Sequence, residues 1–202
     1  MKSFIDNYCF KKNYLRIILK IVFGELPYQV ILNELDIDAP KNYYSIADFG
    51  SGTGYYTLKF LSEKFCRIAY ALDINGDYLD ELVISAQNND TSHKLEIIET
   101  DLIERTKLKN ESIDIALCCF LFSEIADKNK KDVLQNILQS VAVNGKCFIT
   151  DFINCKTIRK FGITYPLEIT EFKKNLAIIK NIVILREIVS KYTYSFVIQK
   201  NA

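Results

Sequence analysis

From Ser45 to the C-terminus the chain alternates between two kinds of segment. Short apolar runs, SIADFG (45–50), RIAYALDI (67–74), LEIIETD (95–101), SIDIALCCF (112–120) and GKCFITDF (145–152), are separated by stretches of helical spacing. The helical stretches are YYTLKFLSEKF (55–65), DYLDELVISAQNN (77–89) and KNKKDVLQNILQSV (128–141). In the last of them Val133, Leu134, Ile137, Leu138 and Val141 share one face. Near-continuous apolar runs suit strands covered on both faces, and strands alternating with helices predict a parallel sheet flanked by helices.

The end of the chain breaks this rhythm. IVILREIVSK (182–191) and YTYSFVIQK (192–200) are strand-like runs with almost nothing between them. So short a connection allows an antiparallel hairpin and rules out a parallel crossover. The prediction is an α/β, doubly wound sheet of seven strands, mostly parallel, with a C-terminal antiparallel hairpin. Residues 4–35 read as helices ahead of the sheet. Lys12, Arg16 and Lys20 form a basic stripe there, while Leu15, Ile18, Leu19 and Val22 face elsewhere. We expect an N-terminal helical cap over 1–40 that packs on a sheet domain over 41–202. Contact of this helix with a membrane surface is the alternative reading of the stripe.

Composition narrows the function classes. A chain of 202 residues that is 49% hydrophobic builds one well-cored domain, and only 7 Gly and 3 Pro argue against long disordered stretches. The net charge of +1, with acids and bases mixed throughout, offers no basic face for nucleic acid. The six cysteines, at 9, 66, 118, 119, 147 and 155, form no C-x-x-C pair. Cys66, Cys118, Cys119 and Cys147 lie in apolar runs and read as small buried hydrophobes, which suits a reduced, cytoplasmic setting. With His93 as the one histidine, a histidine-rich metal site is not expected. The N-terminus has no continuous apolar stretch of signal-peptide type, and no apolar run approaches a membrane span.

Candidate chemistry gathers where the runs end. Ile46–Thr57 reads IADFGSGTGYYT: a strand with Asp48 near its tip, glycines at 50, 52 and 54, then a helix. Strand, glycine turn and helix bring a nucleotide-like ligand against backbone N–H groups. The dinucleotide fingerprint G-x-G-x-x-G would require Gly or Ala at position 55 or 57, where Tyr55 and Thr57 stand. Asp73 ends the next run. A carboxylate at that tip, beside the glycine turn, can accept from both ribose hydroxyls of a nucleoside; the alternative is a solvated Asp opening a turn with Asn75-Gly76. Asp101 ends the third run, in ETDLIE, and alternatively caps a following turn.

The D-x-G-x-G-x-G loop resembles the first motif of class I S-adenosylmethionine (SAM)-dependent methyltransferases, a Rossmann-like fold whose parallel sheet is closed by an antiparallel hairpin. From about Tyr28 to the end, the pattern is nearest to small-molecule members of the ubiquinone- and menaquinone-biosynthesis type (methyltransferase type 11/25). Those often read F-x-L-H-E-I-P-D, a helix, P-G-G and I-V-D-F. Here F-L-F-S-E-I-A-D, V-N-G-K and I-T-D-F stand in their places.

The resemblance implies SAM as cofactor, a small-molecule acceptor and methyl transfer to O, C or N. It implies cofactor contacts from Asp48, Gly50, Ser51, Gly52, Gly54, Asp73, Ile74, Asp101, Leu102 and Phe120. An acid at Asp101 would accept from the adenine amine, with Leu102 covering the ring and its backbone reading a ring nitrogen. Ser123 occupies the position where a histidine often sits, so a histidine base is absent there. No [ND]-P-P-[YF] segment follows the fourth run, which removes support for many amino-directed members. A base for an oxygen or carbon acceptor falls among Glu124, Asp127, Asp151 or a tyrosine; Tyr8, Tyr14, Tyr28 and Tyr55 are the tyrosines to look for near a pocket. His93 lies away from the strand tips. No metal is needed for the transfer. Two alternatives remain at this stage. One is a catalytically silent methyltransferase-fold protein acting as a SAM-binding or partner subunit. The other is a different SAM- or nucleotide-using α/β enzyme, a protein or RNA methyltransferase included.

Overall fold

The computed structural model describes residues 25–35, 44–63, 66–160 and 163–202. Strands β1 (Tyr44–Phe49), β2 (Cys66–Asp73), β3 (Leu95–Glu99), β4 (Ile113–Cys119), β5 (Val141–Phe152), β6 (Ile182–Val189) and β7 (Thr193–Lys200) form one sheet in the order β3-β2-β1-β4-β5-β7-β6. The first five strands are parallel, and β7 runs antiparallel to both β5 and β6. This is the mostly parallel sheet closed by an antiparallel hairpin that the apolar runs predict.

Helices α1 (Glu25–Glu34), α2 (Tyr55–Ser62), α3 (Gly76–Asn88), α4 (Asp127–Ser140), α5 (Lys156–Lys160) and α6 (Ile169–Ile178) cover the two faces. Val133, Leu134, Ile137 and Leu138 of α4 and Phe172 and Leu176 of α6 pack with Phe49, Cys118, Ile149 and Phe196 on one face. Tyr28 and Ile31 of α1 and Phe60 of α2 pack with Ile46, Leu117, Phe148 and Val197 on the other. Alternate residues of each central strand thus serve opposite cores, as the two-residue period of a strand requires. Cys66, Cys118 and Cys147 are fully buried and Cys119 nearly so, in agreement with their reading as core residues.

Several element boundaries differ from the sequence reading. V-N-G-K reads as a turn ahead of a strand beginning at Gly145, yet β5 already begins at Val141. The turn persists inside these bounds. Val141 pairs with Ile113 and Lys146 with Ile115, and Asn144 between them holds φ 65. Helices α5 and α6 lie outside the three helical stretches read from the sequence. They are short, and α5 follows a chain path tied to the sheet by Leu167 N–H donating to Phe152 O and Asn154 N–H to Leu167 O. Of the N-terminal helices only α1 is described; the basic stripe, Tyr8, Tyr14 and Cys9 lie outside the described residues. Among those residues no helix is long and apolar enough to cross a membrane.

Candidate cofactor and acceptor site

The strand order reverses direction between β1 and β4, and α/β sheets bind ligands beyond the carboxyl ends of the strands at such a point. The glycine loop sits there. Gly50 N–H and Ser51 N–H both donate to Leu72 O, at 2.8 and 3.0 Å, and Gly54 N–H donates to Ser51 O. Asp73 completes the link: its Oδ2 accepts from Gly52 N–H at 2.8 Å and its Oδ1 from Asn75 N–H at 2.9 Å. Asn75 Oδ1 in turn caps α3 by accepting from Asp77 and Tyr78 N–H. Asp73 therefore stands beside the loop and also opens the Asn75-Gly76 turn.

The loop glycines do different work. All three hold positive φ. A Cβ at Gly54 would lie 2.2 Å from Leu82 Cδ1, which makes this glycine a packing requirement between α2 and α3. A Cβ at Gly50 would press on Leu121. At Gly52 a Cβ would meet nothing within 4 Å, so the loop keeps open space there that its own packing does not explain. Ser51 Oγ is buried and has no hydrogen-bond partner among the described residues. These two observations fit a polar ligand laid on the loop. Gly52→Ala should cost only about 1 kcal/mol of stability, from its φ of 54. We expect the same change to weaken nucleoside binding about tenfold or more, since the new methyl enters the ligand's space; thermal unfolding and calorimetric titration on one sample read the two effects separately.

Asp48 is placed differently from Asp73. It is 2% exposed, and its Oδ2 accepts from Thr57 Oγ1 at 2.7 Å and Thr57 N–H at 3.2 Å. A carboxylate under the first turn of α2 satisfies a helix donor and complements the helix dipole, so Asp48 locks the loop to the helix from below. Beside it, burial and the neighbouring Cys119 and Asp48 push the Tyr56 hydroxyl far above its ordinary pKa, and burial does the same to the Cys119 thiol. These two groups stay protonated. Thr57 and Tyr56 carry no signal in the sequence because the folded strand tip, not the helix pattern, gives them polar partners.

Beyond β2 and β3 a recess of about 430 Å³ is lined by Ile74, Glu99, Thr100, Asp101 and Lys107. Thr100 N–H donates to Asp73 O, which ties the two strand exits together. Ile74 is 66% exposed, an apolar side chain left open at the mouth of the recess. Asp101 Oδ1 accepts from Ile103 N–H, the turn reading of this residue, and Leu102 is buried behind it. Phe120, by contrast, turns its ring into the core against Phe152, with centroids 4.6 Å apart. Its backbone holds φ 60.

The remaining candidates scatter. Glu124 is exposed in the turn after β4. Asp127 pairs with Lys130 at 2.7 Å. Tyr28 is 3% exposed, its ring 5.3 Å from Phe60 and 3.8 Å from the Lys59 ammonium. Tyr55, half exposed, packs edge-on against Tyr56 near the loop. Asp151 is fully buried and so cannot touch an acceptor as a base would. His93 lies in the turn leading into β3, at the end of the sheet opposite the loop.

Residues 46–145, about half of the chain, match the family model described as "Methyltransferase domain". The chain carries a class I methyltransferase domain. Its fold is similar to that of a SAM-dependent methyltransferase from Aquifex aeolicus, with TM-score 0.69 at 16% identity over 94% of this chain and 98% of that one. A SAM-dependent methyltransferase from Methanosarcina mazei is similar as well, with TM-score 0.66 at 17% identity over 85% and 97%. So is the [4+2]-cyclase SpnF, with TM-score 0.68 at 11% identity over 80% and 76%. At these identities the likeness is one of fold, and the cyclase among the neighbours means that fold alone does not decide the reaction. No curated protein sequence matches this methyltransferase-domain chain significantly.

Proposed function

We propose that this chain is a SAM-dependent methyltransferase that moves a methyl group to an O, C or N atom of a small-molecule acceptor. The observation that carries the reading is the glycine loop of the methyltransferase domain, open at Gly52 and flanked by the half-buried Asp73 carboxylate. In this reading the loop from Gly50 to Gly54, with Ser51, holds the amino-acid end of the cofactor. Asp73 accepts from the ribose hydroxyls, Ile74 and Leu102 cover the adenine, and Asp101 accepts from its amine. SAM supplies an electrophilic methyl on a sulfonium, transferred by in-line displacement. The chain's part is to hold donor and acceptor in line, which lowers such barriers by up to about 7–11 kcal/mol in ideal cases.

The acceptor would enter beside the β4–α4 turn, between the N-terminal cap and residues 154–175. Support for this comes from α1, which sets Tyr28 against Phe60 of α2, and from Tyr165, whose N–H donates to Ser123 O in that turn. Of the candidates for proton removal, Glu124 and Asp127 reach the surface, whereas the Tyr28 hydroxyl is buried. A cytoplasmic setting suits the buried free thiols. One observation favours a second reading, a SAM-binding protein without turnover: Ser123, at the position of a possible base, is 1% exposed.

The test is titration of SAM and S-adenosylhomocysteine, followed by turnover of radiolabelled SAM with fractionated metabolites. Micromolar binding with label transfer to a small molecule supports the enzyme. Binding with no transfer to any fraction turns the assignment to the second reading, and no binding by folded protein removes both.

A further inference from the structure

One buried carboxylate takes no part in the proposed transfer. Asp151, at the end of β5, is completely buried. Its Oδ2 accepts from Ser123 N–H at 3.0 Å and its Oδ1 from Phe152 N–H at 2.7 Å. Ser123 belongs to the turn Phe122–Glu124 that follows β4. The same turn is held at other points: Phe120 N–H donates to Thr150 O at 2.7 Å, Ser123 O accepts from Tyr165 N–H, and Tyr165 O accepts from the buried Lys130 ammonium at 2.8 Å. Phe120 sits in the left-handed region at φ 60, a conformation that persists in a bulky residue only when its surroundings over-determine it. Between Phe120 and Ser123 lies Leu121, whose side chain is the atom set that a Cβ at Gly50 would strike at 2.8 Å. The turn therefore leans directly on the first glycine of the cofactor loop.

We propose that Asp151 is a positioning residue that sets the cofactor loop through the β4–α4 turn, its ionised carboxylate holding Ser123 and thereby Leu121 against Gly50. The inference rests on the SAM-binding reading above for its functional consequence, though not for the mechanical link itself. A carboxylate is an acceptor at both oxygens, whereas its protonated form must donate from one of them. Protonation therefore sets an O–H against Ser123 N–H or Phe152 N–H and slackens the turn. Burial pushes the Asp151 carboxyl up to about 6, against the opposing pull of the Ser123 hydroxyl, the Phe152 and Ser123 N–H groups and Lys130.

The charged and titratable neighbours come from each element around it. Lys130 of α4 is bonded to Asp127 at 2.7 Å. Cys119 of β4 is buried and held protonated. On β7 Tyr194 pairs in register with Asp151, its hydroxyl donating to Glu187, which also meets Lys173 of α6.

The experiment follows backbone amide resonances of the ligand-free, full-length protein from pH 7.5 to 5. Ser123 and Gly50 should titrate together with a midpoint near 6 in wild type. Ser123→Ala, which removes a hydroxyl that favours the charged form, should raise that midpoint. Neither amide should titrate in Asp151→Asn. If Ser123 moves and Gly50 does not, or if neither moves in wild type, the link is wrong, and the Ser123→Ala shift keeps the test decisive should Asp151→Asn fail to fold. On the same samples SAM affinity should fall about fivefold as wild type is taken from pH 7 to 5, the equivalent of one weakened hydrogen bond, and stay level in Asp151→Asn. A coupled titration in a protein that binds no SAM at any pH leaves the positioning link standing and overturns the proposed function instead. SAM binding that is independent of pH despite a coupled titration overturns the functional half of the inference.

Discussion

Asp73→Ala is expected to weaken SAM and S-adenosylhomocysteine binding about a hundredfold or more, with a smaller loss of stability. Two effects combine. Hydrogen bonds from a carboxylate to ribose hydroxyls contribute up to about 1.5–3 kcal/mol each, and about 2.7 kcal/mol already corresponds to a hundredfold. The same carboxylate also anchors the loop through Gly52 N–H at 2.8 Å, so its loss frees the backbone on which the cofactor would lie. Asp73→Asn keeps one acceptor and the side-chain volume and should fall between wild type and Ala. Asp77→Ala, in the first turn of α3 and outside the loop contacts, should bind as wild type does.

Asp48→Ala sharpens the comparison. It removes a 2%-exposed carboxylate bonded twice to Thr57. Its main cost should therefore appear in unfolding, about 2 kcal/mol or more for leaving buried donors unpaired. Calorimetric titration alongside denaturant unfolding of the four variants reads both quantities. Equal SAM affinity in wild type and Asp73→Ala would remove Asp73 from the cofactor site.

Gly54→Ala should be the most destabilising single-methyl change in the loop, by about 3 kcal/mol, with the melting temperature lower by about 10 °C. The backbone holds φ 81, where an L side chain is strained, and the added carbon would lie 2.2 Å from Leu82 Cδ1 and 2.9 Å from its Cδ2. Leu82 is itself fully buried against Ala71 and Leu79, so it has nowhere to retreat. The overpacking part of the loss should be recovered when Leu82 is shortened. Gly54→Ala combined with Leu82→Ala should then lose less than the sum of the two single changes, by about 1 kcal/mol or more, as contacting residues do. Unfolding curves for the four proteins of this cycle measure it. A Gly54→Ala protein as stable as wild type would mean that α2 shifts away from α3 freely, contrary to the close packing that the loop geometry requires.

Much of the site's frame was readable before folding, for reasons particular residues make plain. Strand tips were legible because burial on both faces forces apolar runs, and each run carries an acidic residue at or near its end: Asp48, Asp73, Asp101. The hairpin at 182–200 was legible because chain length between two runs limits how they can pair. The outer elements were less so. Helices α5 and α6 are short, and α6 is buried through Phe172 on Phe122 and Phe196, both distant in the chain, so the local pattern is weak. Phe120 shows the same limit within the site, since only the fold reveals that its ring packs on Phe152.

What the sequence determined by itself is the α/β architecture, the hairpin closure and the place of the glycine loop at a strand tip. These follow from periodicity, connection length and the backbone freedom of glycine, which are all local properties. What only the tertiary structure decided is the division of labour among chemically similar residues. Asp48, Asp73 and Asp151 are all strand-end carboxylates. One is buried on a helix turn, one stands half-open beside the loop, and one lies sealed beneath the β4–α4 turn. Lys130, inside the charged run KNKKD, is 4% exposed because Asp127 and the Tyr165 carbonyl meet it there. Solvent access and partner geometry set what a carboxylate or an ammonium can do. Both come from residues distant in the chain, so neither is written in the local sequence.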